Sequence, residues 1–542
     1  MRARIMLVMR FEIFISFAKL RISEKKTKLF GNFGFAELTF RSEMKRKQVF
    51  LLYFSYLFGN FVANMITDEL KYRIREAFLH VPTREQEHAI DIFSLFMTDR
   101  HEQAVMIMRG SAGTGKTTLA AAIVKAMMSL KQKMVLLAPT GRAAKVFSLY
   151  AGHPAYTIHR RIYRQKSLEG AFDLNYNNAQ DTLYIIDEAS MIANASNYGD
   201  TPFAQGQLLD DLIQFVYNGR NCRMLLFGDQ AQLPPVGEEE SPALMGEVLR
   251  AYGLHVHECD LNEVLRQSQE SGILWNATVI RNLTPNPSLR GEGKIILPKI
   301  HFSGFEDIHI VPGDELIESL ASSYSKAGLD ETMVVTRSNK RANIYNQGIR
   351  NMVLGREEQL TSGDQLMIVK NNYFWTEQSK EIPFIANGDI AVVQRVRNIH
   401  ELYGFRFAEV TMQLPDYDDF EFTATVILDS LTTENAALSH DQQEQLYNAV
   451  MEDYADVSLK ADRIKKLKSD KYYNALQIKY AYAVTCHKAQ GGQWAHVYID
   501  QGYMTDDMLT PDYIHWLYTA FTRATEKLYL VNWPKTQTDS LT

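Results

Sequence analysis

Short, unbroken apolar runs recur along this chain, separated by longer mixed segments. They are Val105–Met108, Met134–Ala138, Leu183–Ile186, Met224–Phe227, Met333–Val335, Tyr480–Val484, Val497–Ile499 and Leu528–Val531. A strand wet on one face would alternate apolar and polar residues; runs rich in Val, Ile and Leu mark strands buried on both faces. Helix-like stretches stand between them, such as Leu119-Ala-Ala-Ala-Ile-Val-Lys-Ala-Met127. This succession predicts an α/β fold of parallel sheets covered by helices. Ligands of such sheets collect at the carboxyl ends of the strands, where the small and polar residues ending these runs fall.

Between Asn339 and Tyr480 the pattern changes. Gly363–Val369 and Asn387–Val393 read as short strands opened by turn residues, and Phe405–Met412 and Phe420–Leu428 continue them as an antiparallel barrel. Tyr373, Phe374 and Trp375 suit either base stacking or core packing. Residues 432–471 turn helical and polar, with Glu452-Asp453 followed by Lys460–Lys471, the pattern of a solvated helix.

At 542 residues the chain is too long for one core and predicts three or four domains. Cys222, Cys259 and Cys486 form no C-x-x-C pair. That argues against a disulfide framework or structural zinc site and for a reducing, cytoplasmic setting. The net charge of −6 is uneven: residues 1–64 hold twelve Lys/Arg against four Asp/Glu, a net +8 that leaves −14 for the remainder. An acidic body confines any nucleic-acid contact to a groove. Residues 1–64 look foreign to the rest. Lys45-Arg-Lys47 before the uncharged run Val49–Ile66 resembles a signal or anchor, diluted by Ser55, Gly59, Asn60 and Asn64. Three readings stand: an untranslated upstream stretch with synthesis beginning at Met65, a poorly packed extension, or a membrane anchor, of which the first is preferred.

The first apolar run leads into Gly110-Ser111-Ala112-Gly113-Thr114-Gly115-Lys116-Thr117, followed by Thr118. These residues fit G-x-x-x-x-G-K-[ST], in the strand–loop–helix setting that motif needs. The glycines let the backbone wrap a triphosphate with its N–H groups inward, and the helix N-terminus adds positive dipole. Lys116 then reaches the outer phosphates and the Thr117 hydroxyl helps hold Mg²⁺, so ATP and Mg²⁺ are the expected cofactors. Asp187-Glu188 ends another run. Asp187 suits the metal and Glu188 the attacking water, the alternative being a plain strand cap. After Phe227, Gln230 is a neutral amide suited to sensing a γ-phosphate; Gly-Asp and Pro-Pro would also make an ordinary turn. Ala138-Pro139-Thr140-Gly141-Arg142-Ala-Ala-Lys145 offers small residues, backbone N–H groups and two cations, suited to phosphodiester contacts or to a helix cap with a basic face.

In this order the blocks resemble superfamily 1 helicases of the RecD-like branch (superfamily 1B), over roughly residues 80–275, 330–395 and 475–535. The resemblance implies roles for further residues. Pro82-Thr83-Arg-Glu-Gln86 is similar to the family's Q motif, in which the glutamine reads adenine. Thr157-Ile-His159-Arg160 resembles its strand-contacting segment. Leu261-Asn-Glu-Val-Leu-Arg266-Gln267 falls where the family supplies an arginine to the γ-phosphate. Ala483-Val-Thr485-Cys-His487-Lys488-Ala-Gln490-Gly491 resembles motif V, placing Thr485 and His487 on the strand and Gly491 at the nucleotide. Tyr518-Thr519-Ala520-Phe-Thr522-Arg523 resembles motif VI, in which Arg523 acts as a finger. Phosphoryl transfer is catalysed mainly by charge stabilisation, so Arg266 and Arg523 are expected on a second lobe that closes on ATP.

The expected organisation is therefore an atypical extension (1–64), a RecA-like domain (65–260) with a small insertion near 150–180, and a second RecA-like domain (261–362 and 476–542). An SH3-like barrel with a helical segment (363–475) interrupts the second; the helical segment departs from the simplest family pattern. The expected activity is ATP-driven DNA unwinding or translocation, 5′→3′ by resemblance, in repair or recombination. Its expected partners are single-stranded DNA or an overhang-bearing duplex, with recombination or repair proteins and without a membrane. An RNA helicase, a non-unwinding translocase and an ATP-switched assembly subunit are the alternatives.

Overall fold

The structure, a computed structural model, describes residues 65–78, 80–165, 172–194, 208–264, 270–283, 299–376, 379, 382, 384–504, 508 and 510–539. The three readings of residues 1–64, and the expected role of Arg266, lie outside the described residues. Two compact units divide the chain, Met1–Asp68 and Glu69–Thr542. Among the described residues no helix is long and apolar enough to cross a membrane.

In the second unit the apolar runs become strands. The chain makes β1 (Ala104–Gly110), β2 (Lys133–Ala138) and β3 (Ala155–Thr157), a hairpin of β4 (Tyr163–Gln165) and β5 (Phe172–Leu174), then β6 (Thr182–Ile186), β7 (Arg223–Gly228) and β8 (His255–Leu261). Six of them form one parallel sheet in the order β3-β2-β6-β7-β1-β8. Strand β1 shows why the runs are unbroken. Successive side chains leave a strand on opposite faces. Val105 and Ile107 enter one core with Tyr184, Phe215 and Leu226; Met106 and Met108 enter another with Phe93, Leu119 and Phe227. All four are fully buried, each contributing about 1.5–3 kcal/mol.

The chain continues through β9 (Ile308–Val311) and β10 (Thr332–Thr336). It then closes a barrel from β11 (Gln365–Ile368), β12 (Ile390–Leu402), β13 (Phe405–Leu414), β14 (Phe420–Ile427) and β15 (Leu476–Tyr480). Strands β16 (Ala483–Thr485), β17 (Trp494–Asp500) and β18 (Ala524–Val531) return to a second parallel sheet, ordered β16-β10-β17-β18-β9. The barrel shares its core with this sheet: Ile368, Val393, Val410 and Ile478 belong to the same apolar cluster as Val334 and Tyr498.

The run Tyr480–Val484, expected as one strand, is divided between barrel and sheet. Asn346 makes the corner. Its Oδ1 accepts from the N–H groups of Tyr482 and Ala483 (3.0 and 2.8 Å), and its Nδ2 donates to the carbonyls of Tyr480 and Ala483 (3.1 and 2.9 Å). A buried amide thus takes over the ladder bonds where the strand turns, and nothing in an apolar run marks that corner. Beside it, fully buried Asp364 accepts from Arg350 Nε and Nη2 (3.0 and 2.9 Å), Arg356 Nη1 (2.7 Å) and the Tyr482 hydroxyl (2.8 Å). Burial pushes this carboxyl up, but the bonds from Arg350, Thr361 N–H and Arg356 outweigh it and hold the pKa below the usual value.

Two expectations in the insertion resolve. Tyr373 stacks on Phe384 and Trp375 Nε1 donates to Asn474 O at 2.8 Å, so these rings pack against protein. The helices His440–Glu452 and Lys460–Lys468 are not solvated all round. Leu446, Val450 and Leu467 pack on Phe405, Phe407 and Ile427, while Lys465 and Lys466 face water.

Asp364→Ala leaves two guanidinium groups beside an uncompensated buried site, a loss of about 3–5 kcal/mol. Its denaturant midpoint should fall accordingly; an unchanged midpoint would show that the cluster contributes nothing. Because the folded carboxyl titrates low, its contribution is present above about pH 3.9 and lost as pH falls through the folded value.

Candidate functional site

The phosphate loop turns on two left-handed residues, Gly113 (φ 77°) and Gly115 (φ 75°), where a side chain would be strained. Lys116 and Thr117 open the helix Lys116–Ser129, with Thr117 exposed. Ends of β6 and β7 stand beside the loop. The Lys116 charge draws down the carboxyls of Asp187 and Asp229, yet burial leaves both raised, with Glu188 adding to the shift. Asp187 accepts from the Tyr150 hydroxyl and from Glu188 N–H (2.9 Å). Glu188 is held in the left-handed region (φ 51°), and its Oε2 is buried with no hydrogen-bond partner. Backbone strain of about 1–3 kcal/mol persists where the surroundings enforce it, most often at working sites.

A cavity of about 930 Å³ opens here, lined by Gly110, Ser111, Gln230, Arg281, Asp512 and His515 among others. It lies between the phosphate loop and the helix Pro511–Phe521 of the second sheet. Tyr518 on that helix bridges the two: its hydroxyl accepts from Ala112 N–H (2.8 Å) and donates to Asp229 Oδ2 (2.7 Å). The loop after β7 is clamped further. Leu233 N–H donates to Thr519 Oγ1 (2.7 Å), Gln490 Nε2 to Leu233 O (2.6 Å) and His515 Nδ1 to Ala231 O (2.9 Å).

A second, smaller cavity of about 180 Å³ is lined from three directions. Thr140 and Arg142 come from the first sheet, Asn387 from the barrel, and His487 and Lys488 from the second sheet. Pro139 leads from β2 to Thr140, whose hydroxyl caps the helix Gly141–Ala151 by accepting from Ala143 N–H (3.2 Å). Arg142 lies over the Trp494 ring (4.6 Å) and donates to Gln493 O (2.7 Å), while its Nε is buried without a partner. Thr485 precedes the short helix Cys486–Ala489 that carries His487 and Lys488, and its side chain makes no capping hydrogen bond. Burial lowers the pKa of His487, and that of Lys488 to about 8. Gly141 makes room for the barrel: a Cβ there would come 2.5 Å from the Tyr417 hydroxyl and 2.8 Å from Asp389 Oδ1, so those side-chain ends would have to shift.

Two family models match the chain, an AAA domain over residues 84–283 and a UvrD-like helicase C-terminal domain over residues 480–531. The ATP-dependent RecD2 DNA helicase of Deinococcus radiodurans is 31% identical over 180 residues, 32% of this chain and 21% of its own length. The ATP-dependent DNA helicase Dda of Enterobacteria phage T4 is 23% identical over 444 residues, 76% of this chain and 90% of its own. By these matches the chain is similar to ATP-dependent DNA helicases. A crystal structure of a Pif1 helicase from Bacteroides, in complex with ADP-AlF3 and ssDNA, aligns at a TM-score of 0.42 with 15% identity, over 85% of this chain and 95% of that one.

The residues expected at an ATP-hydrolysing site are only partly gathered by the first cavity, whose lining does not include Lys116, Asp187 or Glu188. Gly110 and Ser111 line the first with Gln230, and Thr114, Lys116, Thr117 and Thr118 continue the loop into its helix. Gln86 sits beneath the loop. Its amide oxygen caps Thr83 N–H (2.9 Å) and its Nε2 donates to Thr114 O (2.9 Å), so it braces the phosphate loop through the helix Arg84–Thr98. A Cβ on Gly491 would meet Ala143, Thr140 and Met191, of which Thr140 and Met191 line the second cavity. Arg523 is buried and turned into its own lobe: Nε donates to Thr519 O, Nη1 to Gly492 O and Nη2 to Thr522 Oγ1, at 3.0, 3.0 and 3.1 Å. An arginine's place in a motif does not reveal which carbonyls its guanidinium satisfies. Burial pushes the His159 pKa down to about 4, which favours the neutral ring; Thr157 beside it is buried as a helix cap.

Four residues escaped the sequence reading. Gln232 is the buried amide of the loop after β7, with its Oε1 unpartnered, whereas Gln230 is exposed and donates to Leu244 O at 3.3 Å. Tyr518 was noted only as part of a motif, and Tyr150 and Arg281 carried no signal at all.

Tyr518→Phe keeps the ring but leaves Asp229 without its hydroxyl donor. A hydrogen bond to a charged group contributes about 1.5–3 kcal/mol. Turnover that needs this contact should fall about ten- to a hundredfold with the thermal midpoint little changed; parent-level ATP hydrolysis would show that the bridge is incidental.

Proposed function

We propose that the protein is an ATP-driven helicase acting on DNA, moving along a single strand 5′→3′ in repair or recombination. The carrying observation is the second cavity, to which both sheets and the barrel present Thr140, Arg142, Asn387, His487 and Lys488. A strand held there touches both lobes, and the same second lobe grips the phosphate loop through Tyr518. Closing and opening around ATP then displaces one set of strand contacts relative to the other. RecD2 and Dda are both named DNA helicases, which favours DNA over RNA.

In this reading the loop N–H groups and Lys116 hold the triphosphate. The exposed Thr117 hydroxyl and the Asp187 carboxylate are hard oxygen donors that fit Mg²⁺, which when bound neutralises charge between the outer phosphates. Glu188, with its unpartnered Oε2, orients the attacking water and takes its proton. Gln232 or Gln230 senses the γ-phosphate from the loop after β7. Arg523 must leave its three carbonyl and hydroxyl partners before it can serve as a finger, and Arg281 already faces the cavity.

Unwinding of duplexes bearing either a 5′ or a 3′ overhang, with ATP and Mg²⁺, tests the proposal. Unwinding from the 5′ overhang is expected. Unwinding from the 3′ overhang alone reverses the polarity, preference for RNA replaces the substrate, and hydrolysis unstimulated by single strands removes the motor reading. Glu188→Gln should retain ATP affinity and lose turnover by about 10²–10⁴; hydrolysis at the parent rate would assign the water to another group.

Lys488 gives a pH signature. With its pKa near 8 the ammonium loses charge as pH rises through that value, so phosphate pairing weakens. Single-strand affinity measured by fluorescence anisotropy should decline from pH 7 to 9, and Lys488→Met should flatten the decline. An equally steep decline in the variant would place the titration elsewhere.

A further inference from the structure

Far from both cavities, three imidazoles gather around one carboxylate. Asp99 follows the helix Arg84–Thr98, and His255 opens β8, the edge strand of the first sheet. Asp99 Oδ2 meets His255 Nδ1 at 2.6 Å and His257 Nε2 at 2.7 Å, while Oδ1 accepts from His101 N–H at 3.0 Å. The His101 and His255 rings lie 4.1 Å apart. One ligand atom each from Asp99, His101 and His255 falls within 4.8 Å of the others. Spacing explains the convergence. Residues two apart on a strand share a face, which puts His255 and His257 together. Parallel pairing of β8 with β1 brings them level with the Asp99–Gln103 loop: His255 N–H donates to Gln103 O at 3.0 Å.

We propose that Asp99, His101 and His255 bind a divalent transition-metal ion, zinc foremost, that staples this loop to the edge strand. A tetrahedral ion with bonds of about 2.0–2.1 Å separates its ligands by about 3.3 Å, which the present spacings reach with small side-chain rotations. Water completes the coordination. Imidazole nitrogen selects zinc, nickel, copper or cobalt over magnesium and calcium. His257, packed edge-on against Phe96, donates to the same carboxylate and orients it. Arg223 fixes the loop by donating to the carbonyls of Phe96 (2.8 Å) and Asp99. The absence of cysteine pairs argued against structural zinc; this site uses none. It lies about 20 Å along β8 from Leu261, the residue whose carbonyl meets the phosphate loop, so it acts on stability and not on hydrolysis.

The test uses the full chain, stripped with a chelator and titrated with Zn²⁺ alone and with Co²⁺ alone, without nucleotide. Expected are one Zn²⁺ per chain at micromolar or tighter affinity, visible Co²⁺ absorption bands of a four-coordinate site, and a thermal midpoint that rises with Zn²⁺. His101→Ala and His255→Ala, both at exposed positions, should weaken binding at least a hundredfold, and His257→Phe about ten- to a hundredfold. ATP hydrolysis should be unchanged in His101→Ala, which keeps this result separate from the motor reading. Binding only at millimolar Zn²⁺, or undiminished binding in the His101→Ala/His255→Ala protein, would overturn the proposal.

Discussion

The Tyr518 hydroxyl sits where the first sheet meets the second, accepting a hydrogen bond from the phosphate loop and donating one to Asp229. Phosphate binding and this contact draw on the same loop, since a phosphate cradled by its N–H groups competes with Tyr518 for Ala112. The helix bearing Tyr518 also packs on the short helix Cys486–Ala489, with Cys486 Sγ reaching Trp516 O at 3.6 Å. His487 and Lys488 on that short helix line the second cavity. Phosphate loop, Tyr518, helix and channel therefore form one contiguous set of contacts. Motion at one end has a physical route to the other, the requirement for coupling hydrolysis to a strand.

The barrel completes the channel because it is held tightly on both sides. It shares its core with the second sheet, and it meets the first through Lys145, whose Nζ donates to Pro415 O at 2.6 Å. Gly141 lets Tyr417 and Asp389 approach the helix that follows β2, a distance that any side chain would lengthen. Gly491, left-handed at φ 73°, leaves similar room for the side chains of Ala143 and Thr140. Both glycines thus admit side chains from the element packed against them, one glycine in each lobe.

Much of this architecture was legible along the chain. Unbroken runs such as Val105–Met108 announce strands covered on both faces, because only a doubly buried strand can be apolar at every position. The phosphate loop announces itself because a triphosphate demands glycines and a lysine at invariant spacing. Less visible was the corner at Asn346, since Tyr480–Val484 reads as one strand until a distant amide breaks its ladder. The hydrogen bonds of Gln86 and Arg523 were hidden for the same reason: a motif names the residue, and partners remote in sequence decide what its polar atoms touch.

Local chemistry was therefore determined by the sequence alone: two parallel-sheet lobes, an inserted barrel, a loop for phosphate and an acid pair at a strand end. These depend on periodicity and short-range spacing, which a linear chain carries in full. Tertiary structure decided which side chains share a cavity, that Gln232 and not Gln230 is the buried amide, that burial favours the neutral ring of His159, and that Asp99 gathers three histidines. Burial and long-range pairing set those properties, and both arise only when segments more than a hundred residues apart are brought into contact.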